Sequence, residues 1–285
     1  MRAESALLVS VGLALCACGP AAGRNEAGAL QVTTSLPPHA DLVARLAGGS
    51  ADVSFLVPPG SDPHTYEPLP QDMQRVSAAD LYLTAGLPFE DAWLPRIMGS
   101  SAGLRVASLI DGIDLRSEGG EGAGADPHTW LSPALMAAEA RNAADALEAI
   151  EPSDSAAIES RLDSLLAEIA DLQADLHDEL DSLRGSTFLA IHPSYGYFAD
   201  EFGLIQVAME QGGSEPTPTE LAAFSDAARS AGAEFILASP QFSTRSAEAI
   251  SSELGIPLII HDPLQADWMQ GLRMLGSALS GEAPR

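Results

Sequence analysis

Six histidines punctuate this 285-residue chain, and three of them, with one aspartate, carry the chemistry of a metal site. His64 closes an Asp62-Pro63-His64 triplet, His128 closes a second, Asp126-Pro127-His128, and His192 is followed at once by Pro193. Asp262 stands between His261 and Pro263. Three neutral imidazoles and one carboxylate make a donor set suited to a borderline divalent cation such as Zn²⁺. Four protein ligands leave no open position, which fits binding better than hydrolysis. No His-Glu-x-x-His run occurs, as a zinc hydrolase helix would carry. The prolines beside His64, His128 and His192 restrict the backbone and so reduce the entropy lost on coordination. Both cysteines, Cys16 and Cys18, fall near the start of the chain, so the site must be built from His and carboxylates.

These residues need elements to position them. Short apolar runs at 30–34, 53–57, 81–84 and 105–109 read as buried strands, with helices expected over 40–47 and 70–78. A second set of strands is expected at 187–191, 204–208, 235–238 and 257–261. Strands alternating with helices favour parallel βα units, so the expected fold class is α/β, with two βα lobes and mainly parallel central sheets. His64, His128, His192 and Asp262 then fall beyond the carboxyl ends of strands, where open α/β sheets place ligands, two from each lobe. Between the two sets runs the longest helical signal, from the capping pair Ser153-Asp154 to about Leu183, before Arg184-Gly185. That length, roughly 45 Å at 1.5 Å per residue, suits a stiff spine joining the lobes. An ordinary surface helix, or two helices meeting at a kink, are the alternatives the residues leave open. Thr217-Pro218-Thr219-Glu220 is a capping box that opens another helix. The stretch 116–125, rich in Gly and Glu without an apolar anchor, reads as a mobile loop.

Charge and leader narrow the function class. Forty acidic residues stand against fourteen basic ones, all Arg, for a net charge of −26. Such a surface repels phosphate backbones, so nucleic acid is excluded as a partner. At the N-terminus, Arg2 precedes an apolar run from Ala6 to Leu15, of signal-peptide length and too short to span a bilayer. It ends in Leu15-Cys16-Ala17-Cys18-Gly19, a lipobox-like pattern that makes Cys18 the expected lipidation site, with ordinary secretion as the alternative. The expected organisation is a signal peptide over 1–17 and a lipidated tether over 18–29. A first metal-binding lobe follows over 30–150, the spine over 151–184 and a second lobe over 185–285. The mature protein is expected outside the cytoplasm, lipid-anchored at the cell envelope or periplasmic, and monomeric.

Taken in chain order, five motifs resemble a known family. They are Gly60-Ser61-Asp62-Pro63-His64-Thr65-Tyr66-Glu67-Pro68, Gly86-Leu87-Pro88-Phe89-Glu90 with Trp93, and Asp126-Pro127-His128-Thr129-Trp130-Leu131-Ser132-Pro133. His192-Pro193-Ser194-Tyr195-Gly196-Tyr197-Phe198 and Asp262-Pro263-Leu264 complete the set. The chain resembles the zinc and manganese substrate-binding proteins of bacterial ABC transporters, the cluster with a rigid interlobe helix. The resemblance implies a non-enzymatic carrier that hands its ion to a membrane permease, with His64, His128, His192 and Asp262 as metal ligands. Zn²⁺ is the implied cargo, because manganese-type relatives typically place Glu where this chain has His192, and imidazole nitrogen shifts preference toward zinc. Mn²⁺ or iron is the alternative cargo; a secreted zinc hydrolase, or a surface adhesin without a transport partner, is the rival class. Two departures stand out: the loop 116–125 lacks the histidines of many zinc-specific relatives, and their second-lobe cysteine pair is absent. Around the ligands, Glu67 is the expected partner orienting an imidazole. His261 should point away from Asp262, His39 is a candidate to approach the cleft, and His177 should face solvent. Trp130 and Tyr195 read as packing that walls the site.

Overall fold

The computed structural model describes residues 29–117, 124–208 and 217–281. The expected signal peptide, Cys18 and nearly all of the tether lie outside the described residues, as do residues 118–123 of the loop.

In the first lobe the order is β1 (Leu30–Thr34), α1 (Pro37–Ala47), β2 (Ala51–Phe55), α2 (Pro70–Ala78), β3 (Leu81–Thr84), α3 (Pro88–Ser100), β4 (Arg105–Ser108) and α4 (Pro133–Ile150). After α5 (Ser155–Leu180), the second lobe runs β5 (Thr187–Ala190), α6 (Gly196–Phe202), β6 (Ile205–Ala208), α7 (Pro218–Ala231), β7 (Phe235–Ala238), α8 (Arg245–Leu254), β8 (Leu258–Ile260) and α9 (Trp268–Ser280). The strands form two four-stranded sheets ordered β2-β1-β3-β4 and β6-β5-β7-β8, and every pairing is parallel. In both, the order reverses at the centre, between β1 and β3 and between β5 and β7. A crevice opens there because successive crossovers leave in opposite directions. β5 and β7 are buried at all four positions, as strands covered on both faces must be.

Five helices, α1 to α4 and α7, open on Pro, whose fixed φ and missing N–H suit the first turn. This is why α1 begins at Pro37, three residues earlier than its apolar pattern indicates. The Thr217–Glu220 capping box forms: Thr217 Oγ1 accepts from the Glu220 backbone, and the Glu220 carboxylate accepts from Thr217 N at 2.7 Å. α3, α4, α6, α8 and α9 have no bounded counterpart among the expected elements; in α3, Pro95 lies inside the helix and argues against a helix interior.

The spine is one unbroken α-helix of 26 residues, about 39 Å long, extended at each end by a 3-10 turn. Its buried stripe, Ile158, Leu165, Ile169, Leu172, Leu176 and Leu180, packs on α1 and α4 of the first lobe and on α9 and α6 of the second. The kinked and surface-helix alternatives therefore fall away. Gly276 of α9 permits the closest approach: a Cβ there would lie 2.5 Å from Leu176 Cδ2. The larger of two hydrophobic clusters runs from β1 through the spine to α9, so the two lobes share packing as well as a covalent link, while a smaller one lies within the second lobe around Leu189, Phe224 and Ile236. Among the described residues no helix is long and apolar enough to cross a membrane.

Candidate metal centre

His64 lies on the long loop between β2 and α2, and His128 on the loop between β4 and α4. His192 follows β5 by two residues. Their side chains converge between the lobes, with Nε2 of His64 3.1 Å from that of His128 and 3.1 Å from that of His192. The His128 to His192 separation is 3.3 Å. Nitrogens at about 2.05 Å from a tetrahedral Zn²⁺ sit roughly 3.3 Å apart, so the three imidazoles already have nearly the spacing of a zinc-bound triad. These three form the group of His, Cys, Asp and Glu side chains able to share one ion among the described residues.

The electrostatics favour a metal over a proton. Burial, reinforced by the other two imidazoles, holds His64 far below the usual histidine range, at about 3. The ring therefore stays neutral and offers a lone pair at neutral pH. His128 is 3% exposed, and its Nδ1 donates to Asp126 Oδ1 at 2.8 Å while its backbone N–H donates to the same oxygen at 3.0 Å. With Nδ1 carrying the proton, Nε2 is the ligating atom. Phe242 stacks on His192 with centroids 4.8 Å apart, and Trp130 packs on His128 at 5.2 Å.

The expected orienting carboxylate, Glu67, is exposed and makes no hydrogen bond among the described residues. Asp126 has that role instead, and the signal for it was the Asp-Pro-His triplet itself, whose turn brings the carboxylate back to the ring. The matching Asp62 behaves differently: it accepts from His64 N and Thr65 Oγ1, each at 2.9 Å, and not from the imidazole.

Asp262 is not brought into the imidazole group. Its Oδ1 accepts from Gln241 Nε2 at 2.6 Å and from Leu264 N at 2.9 Å, so this oxygen is engaged in the turn after β8. His261 points elsewhere, its Nδ1 3.1 Å from the Tyr195 hydroxyl, and burial lowers it to about 4. Tyr195 thus supports His261, whereas Trp130 does wall the site. His39 does not reach the cleft; it is fully buried, with Nε2 2.8 Å from the equally buried Glu139 and its ring edge-on to Trp130 at 5.7 Å. His177 is half-buried against Phe202 rather than facing open solvent.

Polar contacts close the lobes around the site. Tyr197 OH donates to the backbone oxygen of Asp126 at 2.8 Å and accepts from Arg116 N at 2.9 Å. Arg116 pairs with Asp200, and Trp130 Nε1 donates to Pro263 O at 2.8 Å.

Comparison with known proteins agrees with this geometry. The manganese-binding lipoprotein MntA of Halalkalibacterium halodurans is 28% identical over 76% of this chain and 74% of its own. The high-affinity zinc uptake system protein ZnuA of Bacillus subtilis is 26% identical over 85% of this chain and 82% of its own. A crystal structure of ZnuA superimposes with a TM-score of 0.84 at 35% identity, covering 90% of this chain and 99% of that one. With the model of the zinc-uptake complex component A, periplasmic (ZnuA), matching residues 32–276, the chain belongs to that family.

Proposed function

We infer that this protein captures Zn²⁺ outside the cytoplasm and delivers it to the membrane permease of an ABC transporter. The observation that supports this most is the convergence of three Nε2 atoms, at 3.1 to 3.3 Å, from both lobes. His64 and His128 present the ion from one side and His192 closes on it from the other. All three donors are nitrogens, which favours zinc over manganese; the manganese-binding relative is the reason to test both. The ligands are His64, His128 and His192. Asp262, the expected fourth, lies beyond them on the second lobe.

Release follows from the same arrangement. Separating the lobes removes His192 and leaves two imidazoles, too few to hold the ion tightly. The shared core and the rigid spine keep that opening small. Cys18 carries the lipid that tethers the mature chain to the membrane, and Cys18→Ser is expected to shift it from the membrane to the soluble fraction of fractionated cells. The decisive test of the cargo is a competition titration of metal-stripped protein with Zn²⁺ and Mn²⁺, alongside His192→Ala. One-to-one Zn²⁺ binding, far tighter than Mn²⁺ and weakened by the substitution, is the expected outcome. Equal or tighter Mn²⁺ binding reassigns the cargo, and an unaffected His192→Ala variant removes the site.

A further inference from the structure

The N-terminus of an α-helix carries backbone N–H groups that its own ladder cannot satisfy. At α4 most of them are satisfied locally. Ser132 N donates to Thr129 O at 3.1 Å, Pro133 has no N–H, and Leu135 N donates to the capping Ser132 Oγ at 3.2 Å. Ala134 N is the group left over, and its acceptor comes from the other lobe. Glu201 stands on α6, yet its two carboxylate oxygens lie 3.3 and 3.4 Å from Ala134 N, and Oε2 also accepts from the Ser132 hydroxyl. Its Oε1 accepts a further bond from Gln173 Nε2 of the spine at 2.8 Å. One half-buried carboxylate thus joins the first lobe, the spine and the second lobe. Its charge suits the positive end of an 18-residue helix. Tyr197, Asp200 and Glu201 follow one another at i, i+3 and i+4, so they share one face of α6. All three reach the first lobe: Tyr197 at Asp126 O, Asp200 at Arg116, and Glu201 at the start of α4.

We propose that Glu201 is a latch between the lobes, which completes the α4 N-terminus only in the closed form and so favours closure before any ion is bound. Opening takes the carboxylate away from Ser132, Ala134 N and Gln173 together. Ala134 is exposed, so water replaces part of what its amide loses, whereas Ser132 is buried. The latch therefore biases the closed form without locking it. It touches none of the three imidazoles, and it acts on the metal-free protein whatever ion the cleft takes.

The test measures the distance between the lobes. The mature chain with Cys18→Ser has no other cysteine, so Gln71→Cys on α2 and Ala249→Cys on α8, both exposed, take a pair of spin labels. In the metal-free protein, Glu201→Ala is expected to raise the population at the longer distance about tenfold, equivalent to about 1.4 kcal/mol. Zn²⁺, followed by transfer to a chromophoric chelator, should leave about tenfold faster. Co²⁺, whose visible spectrum reports coordination, should show the wild-type spectrum because no ligand is touched. Gln173→Ala removes one of the bonds and should open the lobes about threefold, with the double variant no worse than Glu201→Ala, as partners in one hydrogen-bonded unit behave. Ala134→Asp in the Glu201→Ala background returns an acid to the first turn of α4, so urea stability should recover while the lobes stay open. The proposal is overturned if Glu201→Ala leaves the metal-free distances unchanged, or if Ala134→Asp restores the short distance, which makes Glu201 a helix cap and nothing more. Should Glu201→Ala fail to fold, Gln173→Ala carries the test, and unchanged distances there overturn the proposal. Wild-type zinc binding by His64→Ala and His192→Ala would instead remove the metal site, a separate failure that leaves the metal-free distances to judge the latch.

Discussion

Removing the Asp126 carboxylate should cost the metal site far more than removing the equivalent carboxylate of Asp62, although both belong to Asp-Pro-His triplets. Asp126 Oδ1 accepts two hydrogen bonds from one residue, the ring and the backbone N–H of His128, and both partners are nearly fully buried. The ring bond fixes the tautomer that exposes the Nε2 lone pair to the ion. Loss of such an outer partner typically lowers metal affinity 10- to 100-fold, and the burial here places Asp126→Ala near about 100-fold, or about 2.7 kcal/mol. The metal-free protein should also lose about 1–3 kcal/mol, because two buried hydrogen bonds from His128 to this carboxylate are removed. Asp126→Asn retains an acceptor oxygen and should lose about tenfold. Asp62→Ala breaks bonds only to His64 N and Thr65 Oγ1 on a half-buried turn, so about threefold is expected, about 0.7 kcal/mol. Competition with a chromophoric zinc chelator measures affinity, and urea unfolding of the metal-free variants measures stability. Equal losses of zinc affinity in the two alanine variants would refute the assignment of Asp126 as the group that orients His128.

Three further outcomes follow from the same geometry. Tyr197→Phe deletes the hydroxyl that joins α6 to the Asp126 backbone, so Zn²⁺ should leave about three- to tenfold faster, with an unaltered cobalt spectrum; an unchanged rate would show that this contact plays no part in closure. His64 at about 3 and His261 at about 4 both lie below the unfolded value of about 6.5, so between those values the unfolded chain binds more protons. Their contribution to metal-free stability is therefore complete above pH 6.5 and lost as pH falls from there, down to about 4 for His261 and about 3 for His64; His261→Asn should flatten the acid side of the stability profile, and an identical profile would contradict the burial argument. Gly276→Ala drives a methyl group into Leu176 and Glu179 of the spine, which should destabilise the protein by about 1–3 kcal/mol in urea unfolding.

Much of the architecture was legible because its physical causes are local. A strand buried on both faces has to be apolar throughout, and Phe235–Ala238 reads so in the bare chain; a helix packed along one side has to repeat near 3.6 residues, as Ile158 to Leu180 do. The three clustered histidines were legible for a related reason: each lies past the carboxyl end of a strand in a parallel sheet, His64 and His128 after β2 and β4 of the first sheet and His192 after β5 of the second, the edge at which such sheets place ligands. Element ends were less so. Val53–Val57 became Ala51–Phe55 because pairing with β1 sets the register, which no single strand encodes.

What the sequence alone determined, then, was the fold class, the family and the imidazoles, all carried by residue type and period. What only tertiary structure decided was the hydrogen-bonding around them: Asp126 rather than Glu67 behind His128, Asp262 turned to Gln241, and His39 paired with Glu139 a hundred residues away. Those choices depend on where side chains point after the chain has reversed and the lobes have closed. Displacements of an ångström or two separate a ligand from a neighbour, and nothing in local sequence pattern resolves distances that small.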